Sequence, residues 1–175
     1  VSIGPVSIDR SRSDVSRRFD NPLIMPDQEA AREASEFLDR CMAEGDSAGG
    51  VAECVIKGVP AGIGEPVFDK LDAVLAMAVL SIGAVKGIEF GAGFDFPGMT
   101  GVYGNDQYKM SCNTIKTMTN NNGGILGGIT TGMPIVFRAV VKPTSSIATE
   151  QRSVNLATMQ NTKLVVKGRH DPCIV

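Results

Sequence analysis

The sequence predicts an α+β fold, because helical and strand-like segments alternate in no repeated order. Two segments carry apolar residues every three or four positions, which is typical of amphipathic helices. Several shorter runs are rich in β-branched residues, which is typical of strands. At 175 residues the chain is long enough for one domain, and folding would bury about 70% of the surface of the extended chain.

The first predicted helix opens at Pro26 and Asp27 and closes at Gly45, since proline and aspartate favour helix starts and glycine favours helix ends. Its apolar positions recur at spacings of three and four, and they are Ala30, Ala34, Phe37, Leu38 and Cys41. The second predicted helix ends at Gly83, and its apolar side is formed by Phe68, Leu71, Leu75, Ala78, Val79 and Ile82.

Strands are predicted for residues 51–57, 85–90, 134–141 and 164–167. Residues 58–66 are too rich in glycine and proline for regular structure. Residues 91–122 have few apolar residues and no clear period, so we expect a long mobile loop there. Residues 9–20 mix arginine with aspartate, which indicates a solvated segment or linker.

Composition excludes several classes of protein. A formal net charge of −2 and a pI near 5.4 provide no basic surface for nucleic acid. No apolar run reaches the ~20 residues that a membrane span requires. The four cysteines form no C-x-x-C pair and no signal peptide is evident, so we expect a protein of the reducing cytoplasm. Both termini suggest a piece of a longer protein.

Reactive side chains are concentrated after the apolar run 164–166, in Lys167, Arg169, His170, Asp171 and Cys173. Functional residues are frequent where a strand gives way to a loop. A single histidine is nevertheless more often structural than catalytic, and Asp171 could instead pair with Arg169 or cap a turn. A metal site needs several ligands at suitable spacing, and this chain has a single histidine without such a set. We therefore predict no metal site.

Two further segments suit an anionic or aromatic ligand. The glycines of residues 123–129 let backbone amides approach a ligand closely, although a glycine-rich turn between strands explains them equally well. Residues 142–146 offer an ammonium group and three hydroxyls, which suit a phosphate, and an ordinary turn after a proline is the alternative. Asp46 and Ser47 could make a polar contact or simply form the turn after the first helix.

Long segments of the chain resemble the chorismate synthase family, in the order in which that family carries them. They are residues 45–50 (GDSAGG), 58–72 (GVPAGIGEPVFDKLD), 81–93, 123–134, 142–147 and 167–173 (KGRHDPC). Residues 1–44 match less distinctly. The resemblance implies a partial chorismate synthase-like β-α-β sandwich, formed by residues 1–175 as a single partial domain. This domain is the C-terminal portion of the enzyme, without its N-terminal half.

The resemblance also implies an activity. The family converts 5-enolpyruvylshikimate 3-phosphate to chorismate by anti 1,4-elimination of phosphate, in the shikimate pathway to aromatic compounds. The reaction needs reduced FMN although it has no net redox change, and some members reduce the flavin with NADPH. By this resemblance the intact protein is a cytoplasmic homotetrameric lyase.

By resemblance, the FMN-binding positions of this chain are Gly127, Lys142, Pro143, Thr144, Ser145, Ser146 and Arg169. Asp171 corresponds to an acid near the flavin N5, where it could assist proton movement. Gly83 stands where relatives commonly carry asparagine, so no flavin contact is assigned there.

The family's catalytic histidines and substrate-binding arginines belong to its N-terminal half, so we expect these 175 residues alone to be inactive. Two alternatives remain open: a non-catalytic flavin-binding or structural module, and an unrelated phosphate-binding protein.

Overall fold

The computed structural model describes residues 1–168 and 171–175. In chain order its elements are β1 (Ser2–Ile3), β2 (Val6–Ser7), the 3₁₀-helix η1 (Val15–Asp20), α1 (Gln28–Glu44), β3 (Gly50–Ile56), α2 (Leu71–Leu80), β4 (Val85–Phe90), the 3₁₀-helix η2 (Gly93–Gly98), α3 (Gly101–Gly104), β5 (Tyr108–Ser111), β6 (Thr114–Thr117), β7 (Ile125–Leu126), β8 (Ile129–Thr130), β9 (Ile135–Val141), β10 (Gln151–Asn155) and β11 (Gln160–Leu164). No helix among these described residues is both long and apolar enough to cross a membrane.

The chain forms two compact units, each of which contains helices and strands. The first unit comprises Val1–Val51 and Val141–Val175, and the second comprises Ala52–Val140. In the first unit β1 pairs antiparallel with β2 and with the start of β3. In the second unit β9 lies between β3 and β4.

Helix α1 confirms the first predicted helix. The Asp27 carboxylate caps it by accepting from the N–H groups of Glu29 and Ala30, at 3.1 and 3.3 Å. Gly45 ends it in the left-handed region, with φ of 68°. The Gly45 N–H then reaches the carbonyl of Met42 and the Asp46 N–H that of Cys41, which is the Schellman arrangement.

The apolar face of α1 forms the core of the first unit. Its buried residues are Ala30, Ala31, Ala34, Leu38 and Cys41, and they pack with Ile3, Met25 and Ala48. The 3₁₀-helix η1, which lies within residues 9–20, has no buried residue, in agreement with a solvated segment. The segment is nevertheless attached to α1, because the Asp9 N–H and the Arg12 guanidinium both donate to Asp27.

Helix α2 is shorter than predicted. It begins after Lys70 and ends at Leu80, so Phe68 lies outside it and is 90% exposed. The expectation that Phe68 belongs to its apolar side was therefore wrong. The physical reason is the preceding turn, in which Val67 has a φ of 73° that is incompatible with a helix.

The expectation of a mobile loop over residues 91–122 was also wrong. This stretch contains η2, α3 and an antiparallel hairpin in which Tyr108 pairs with Thr117 and Ser111 with Thr114. Polar contacts order it: the Asp106 carboxylate accepts hydrogen bonds from Thr119, Asn121 and Asn122. Polar contacts of this kind leave no apolar periodicity in the sequence, so the pattern did not predict these elements.

The strand predicted over residues 164–167 was misplaced. Strand β11 precedes it and ends at Leu164, and it pairs with β10 through partners such as Arg152 with Lys163. All five residues of β11 are exposed. A strand that is exposed on both faces needs no alternation of apolar and polar residues. The sequence of β11, QNTKL, therefore has no pattern that predicts a strand. The strands predicted over 51–57, 85–90 and 134–141 are confirmed as β3, β4 and β9.

Candidate functional site

In the second unit, Gly127 lies in a two-residue hairpin turn. Leu126 of β7 pairs with Ile129 of β8, which leaves Gly127 and Gly128 between the strands. Their φ values are 61° and 85°, and two consecutive positive values are typical of a type I′ turn. The turn interpretation of the glycine-rich segment is thus correct. A ligand could still approach Gly127, because a Cβ there would meet no described atom within 4 Å.

Thr130, at the end of this hairpin, holds the glycine- and proline-rich loop of residues 58–66. Its hydroxyl donates to the Pro60 carbonyl at 2.7 Å and accepts from the Ile63 N–H at 2.9 Å. Its backbone carbonyl accepts from the Gly62 N–H at 2.9 Å, and its N–H donates to the Ile63 carbonyl at 2.9 Å. Thr130 is 3% exposed, so these bonds are shielded from water. Two segments distant in sequence are therefore held together.

The predicted cofactor segment, Lys142 to Ser146, lies in the first unit and follows β9. Lys142 and Thr144 are half-buried, whereas Pro143, Ser145 and Ser146 are exposed. The Ser47 hydroxyl donates to the Thr144 carbonyl at 2.7 Å. Of the two interpretations of Asp46 and Ser47, both hold: Asp46 closes the end of α1, and Ser47 makes a polar contact.

The predicted catalytic residue, Asp171, also lies in the first unit and is exposed. The carbonyl of the next residue, Pro172, accepts from the Ala48 N–H at 2.6 Å, and Cys173 packs against the core of this unit. Asp171 is thus carried on an anchored segment. Arg169 and His170 lie outside the described residues, and with them the predicted flavin contact of Arg169 and its pairing with Asp171.

The residues of the cofactor segment fit a phosphate-bearing group. The Thr144 hydroxyl oxygen is buried, and it has no hydrogen-bond partner within residues 1–168 and 171–175. Such an oxygen costs free energy unless something bonds to it, so a ligand there would remove a penalty. Lys142 lies two residues away and supplies the positive charge that a phosphate attracts. No cluster of metal-binding side chains occurs among the described residues.

A carboxylate that the sequence patterns did not single out lines a cavity in the second unit. Asp106 borders a cavity of about 380 Å³, together with Phe96, Met99, Tyr108 and Asn122. Burial opposes its ionisation, but hydrogen bonds from Asn122, Thr119 and Asn121 outweigh burial and lower its pKa. The nearby run of asparagines at 120–122 was the available signal, because amides are suitable donors to a carboxylate.

Comparison with known proteins identifies relatives along the whole chain. The sequence profile of the family described as chorismate synthase matches residues 1–175, including the less distinct residues 1–44. The chorismate synthase of Agathobacter rectalis is 51% identical over 174 residues, which are 99% of this chain and 47% of that protein. The chorismate synthase of Archaeoglobus fulgidus is 52% identical over 168 residues, 96% of this chain and 47% of that protein.

A solved structure agrees with these relatives. The structure titled "Crystal Structure of Chorismate Synthase" superposes with a TM-score of 0.76 at 32% identity, and covers 83% of this chain and 48% of that chain. This similarity confirms the predicted fold class, a mixed helix and sheet fold like that of chorismate synthase. The chain spans about half the length of the curated relatives that it matches. On these findings, the chain belongs to the chorismate synthase family.

Proposed function

We propose that the protein carrying this chain converts 5-enolpyruvylshikimate 3-phosphate to chorismate and phosphate by FMN-dependent anti 1,4-elimination. The observation that carries the proposal is the identity of about half of all residues to chorismate synthases over 99% of the chain. Sequence identity this extensive leaves an unrelated phosphate-binding protein without support. In the proposed role the protein is a cytoplasmic homotetrameric lyase of the shikimate pathway, and these residues are its C-terminal portion.

We propose reduced FMN as the cofactor, held by the residues that the family resemblance assigns to it. Lys142 would pair with its phosphate or polar edge, and the hydroxyls of Thr144, Ser145 and Ser146 would donate to its oxygens. Pro143 and Arg169 are the other residues assigned to FMN binding. The open space beside Gly127 would let the cofactor approach the backbone closely. When bound, the reduced flavin supplies electron density as phosphate departs. NADPH is the proposed reductant if the protein reduces its own flavin.

Lys142→Ala tests the cofactor assignment. Removal of the ammonium group from a charge-assisted contact should weaken FMN binding by about tenfold or more. The measurement is quenching of FMN fluorescence by the full-length protein. Lys163→Ala is the matched control, because Lys163 lies on the exposed hairpin in the same unit. The Lys163→Ala protein should bind FMN as tightly as the wild type. Equal affinities of wild type and Lys142→Ala would contradict the assignment.

We propose that Asp171 assists the removal of the substrate proton, since a carboxylate can accept a proton and then release it to solvent. Asp171→Ala should slow turnover by about 100-fold, the usual contribution of a positioned acid or base. Because Asp171 is not assigned to flavin binding, FMN affinity should stay within about twofold. Turnover of the variant at the wild-type rate would remove Asp171 from the mechanism.

The competing function is a non-catalytic flavin-binding or structural module. This chain spans about half the length of each relative, and by resemblance the family's catalytic histidines belong to the N-terminal half. Incubation of 5-enolpyruvylshikimate 3-phosphate with the full-length protein and reduced FMN separates the two. The lyase releases chorismate and phosphate in equal amounts, whereas a module binds FMN and releases neither. We expect the 175 residues alone to form no product.

A further inference from the structure

The loop between α1 and β3, residues 45–49, contacts both segments to which the proposed chemistry is assigned. Its Gly45 carbonyl accepts from the Ala148 N–H at 2.9 Å, and its Ser47 hydroxyl donates to the Thr144 carbonyl at 2.7 Å. Its Ala48 N–H donates to the Pro172 carbonyl at 2.6 Å, beside Asp171. All of these residues belong to the first unit.

Close packing leaves this loop little freedom. Ala48 is 4% exposed and belongs to the core of the unit. A Cβ on Gly49 would lie 3.0 Å from the Pro143 nitrogen, tighter than ordinary contacts, and would also collide with the Val141 carbonyl oxygen. On the other side the Gly49 carbonyl accepts from the Gly4 N–H at 2.8 Å. The Ser47 hydroxyl is therefore presented from a fixed backbone.

We propose that Ser47 is a positioning residue for the cofactor segment, and this inference rests on the proposed binding of FMN. In a trans peptide the carbonyl of one residue and the N–H of the next point in opposite directions. By holding the Thr144 carbonyl, Ser47 therefore fixes the direction of the Ser145 N–H, which lies in the same peptide plane and points away from Ser47. Ser145 is an exposed residue, and we assign its N–H as the donor to an anionic ligand.

The Thr144 hydroxyl, which has no partner in residues 1–168 and 171–175, supports this role. Ser47 satisfies the backbone carbonyl of Thr144, but the buried side-chain oxygen of the same residue has no partner among the described residues. A residue fixed through its backbone with a free buried hydroxyl is prepared to bond to a ligand without further reorganisation. Ser47 acts on FMN only through Thr144 and Ser145 and does not touch it.

The test uses the full-length protein and oxidised FMN. Ser47→Ala should weaken FMN binding by about 3- to 10-fold, the effect of losing one hydrogen bond. Ser47→Thr keeps the hydroxyl and should restore the affinity to within about twofold. Ser13→Ala is the matched control, because the Ser13 hydroxyl also donates to a backbone carbonyl in the first unit, that of Asp9 at 2.7 Å. Its FMN affinity should equal that of the wild type.

Amide hydrogen exchange supplies a readout that needs no activity, and its main arm uses the wild type. FMN should slow exchange of the Ser145 amide in the wild type, and Ser47→Ala without FMN should speed exchange of residues 145–147 while the core amides of α1 stay protected. Binding of FMN without slower exchange at Ser145 overturns the inference, even if Ser47→Ala does not fold.

The outcomes separate this inference from the proposed function. If the wild type binds FMN and forms chorismate while Ser47→Ala binds FMN equally tightly, only the positioning role of Ser47 is overturned. If the folded wild type binds no FMN, the proposed function fails and the inference fails with it.

Discussion

Asp27 is a buried carboxylate that joins three parts of the first unit. It is 1% exposed, caps α1, and accepts from the Asp9 N–H at 2.9 Å and from Arg12 at 3.2 Å. These bonds lower its pKa, with the backbone N–H of Asp9 as the largest cause. A carboxylate can be buried at little cost when its oxygens accept this many hydrogen bonds.

We expect Asp27→Ala to destabilise the protein by about 2 to 3 kcal/mol, because the helix cap is lost and its buried and part-buried donors lose their acceptor. Urea unfolding measures the change. Asp14→Ala is the matched control: Asp14 also caps a helix, η1, and accepts from the Ser16 N–H at 2.9 Å, but it is exposed. It should cost less than about 1 kcal/mol. Equal costs for the two variants would refute the importance of burial at Asp27.

Asp106 predicts a dependence of stability on pH. Its pKa is lowered in the folded protein, since hydrogen bonds from Asn122, Thr119 and Asn121 outweigh the opposing effect of burial. The unfolded chain therefore binds the proton more tightly, and the ionised carboxylate stabilises the fold above the unfolded pKa near 4. This contribution is lost as the pH falls through the lower folded pKa.

Asp106→Asn should flatten the fall in unfolding free energy between pH 5 and pH 2, measured by urea titration at each pH. Asp39→Asn, an exposed position on α1, should keep the wild-type dependence. If the unfolding free energy falls equally steeply with pH in the wild type and in Asp106→Asn, Asp106 does not stabilise the residues around it.

At the scale of elements, the β7–β8 hairpin depends on its glycines in two different ways. Both have positive φ, but only Gly128 is also enclosed: a Cβ there would lie 2.6 Å from the Lys70 Cβ. The Gly128 carbonyl also accepts from the Leu71 N–H at 2.9 Å, at the start of α2. The hairpin therefore sets where α2 begins.

Gly127→Ala should cost about 1 kcal/mol, the strain of an L-residue in the left-handed region. Gly128→Ala adds a steric collision and should cost at least twice as much, because Lys70 and the start of α2 must move. Thermal unfolding of the two variants under identical conditions compares them. A larger loss for Gly127→Ala would contradict the packing around Gly128.

Elements with an apolar period or a run of β-branched residues could be predicted from the sequence, and α1, β4 and β9 are examples. The β5–β6 and β10–β11 hairpins could not, since Met110, Ile115, Val154 and Leu164 are exposed and form no buried face. Family motifs supplied the candidate site residues. The bond from Ser47 to Thr144 joins residues 97 positions apart, a distance over which no local pattern acts.

At the scale of the whole molecule, the family is established along all 175 residues, whereas the chain covers only about half of each curated relative. Membership in the family fixes the fold, whereas the reaction of the full-length protein is the one that we propose. The assigned residues Lys142 to Ser146 and Asp171 lie in the first unit, and Gly127 lies in the second. Under the proposed function, activity should require the full-length protein with its flavin bound.

The most direct test is anaerobic formation of chorismate from 5-enolpyruvylshikimate 3-phosphate by the full-length protein. The assay compares reduced FMN, oxidised FMN and no flavin, with the 175-residue chain in parallel. We predict chorismate and equimolar phosphate only from the full-length protein with reduced FMN. Folded full-length protein that binds reduced FMN and forms no chorismate would contradict the proposed lyase activity and favour a non-catalytic flavin-binding module.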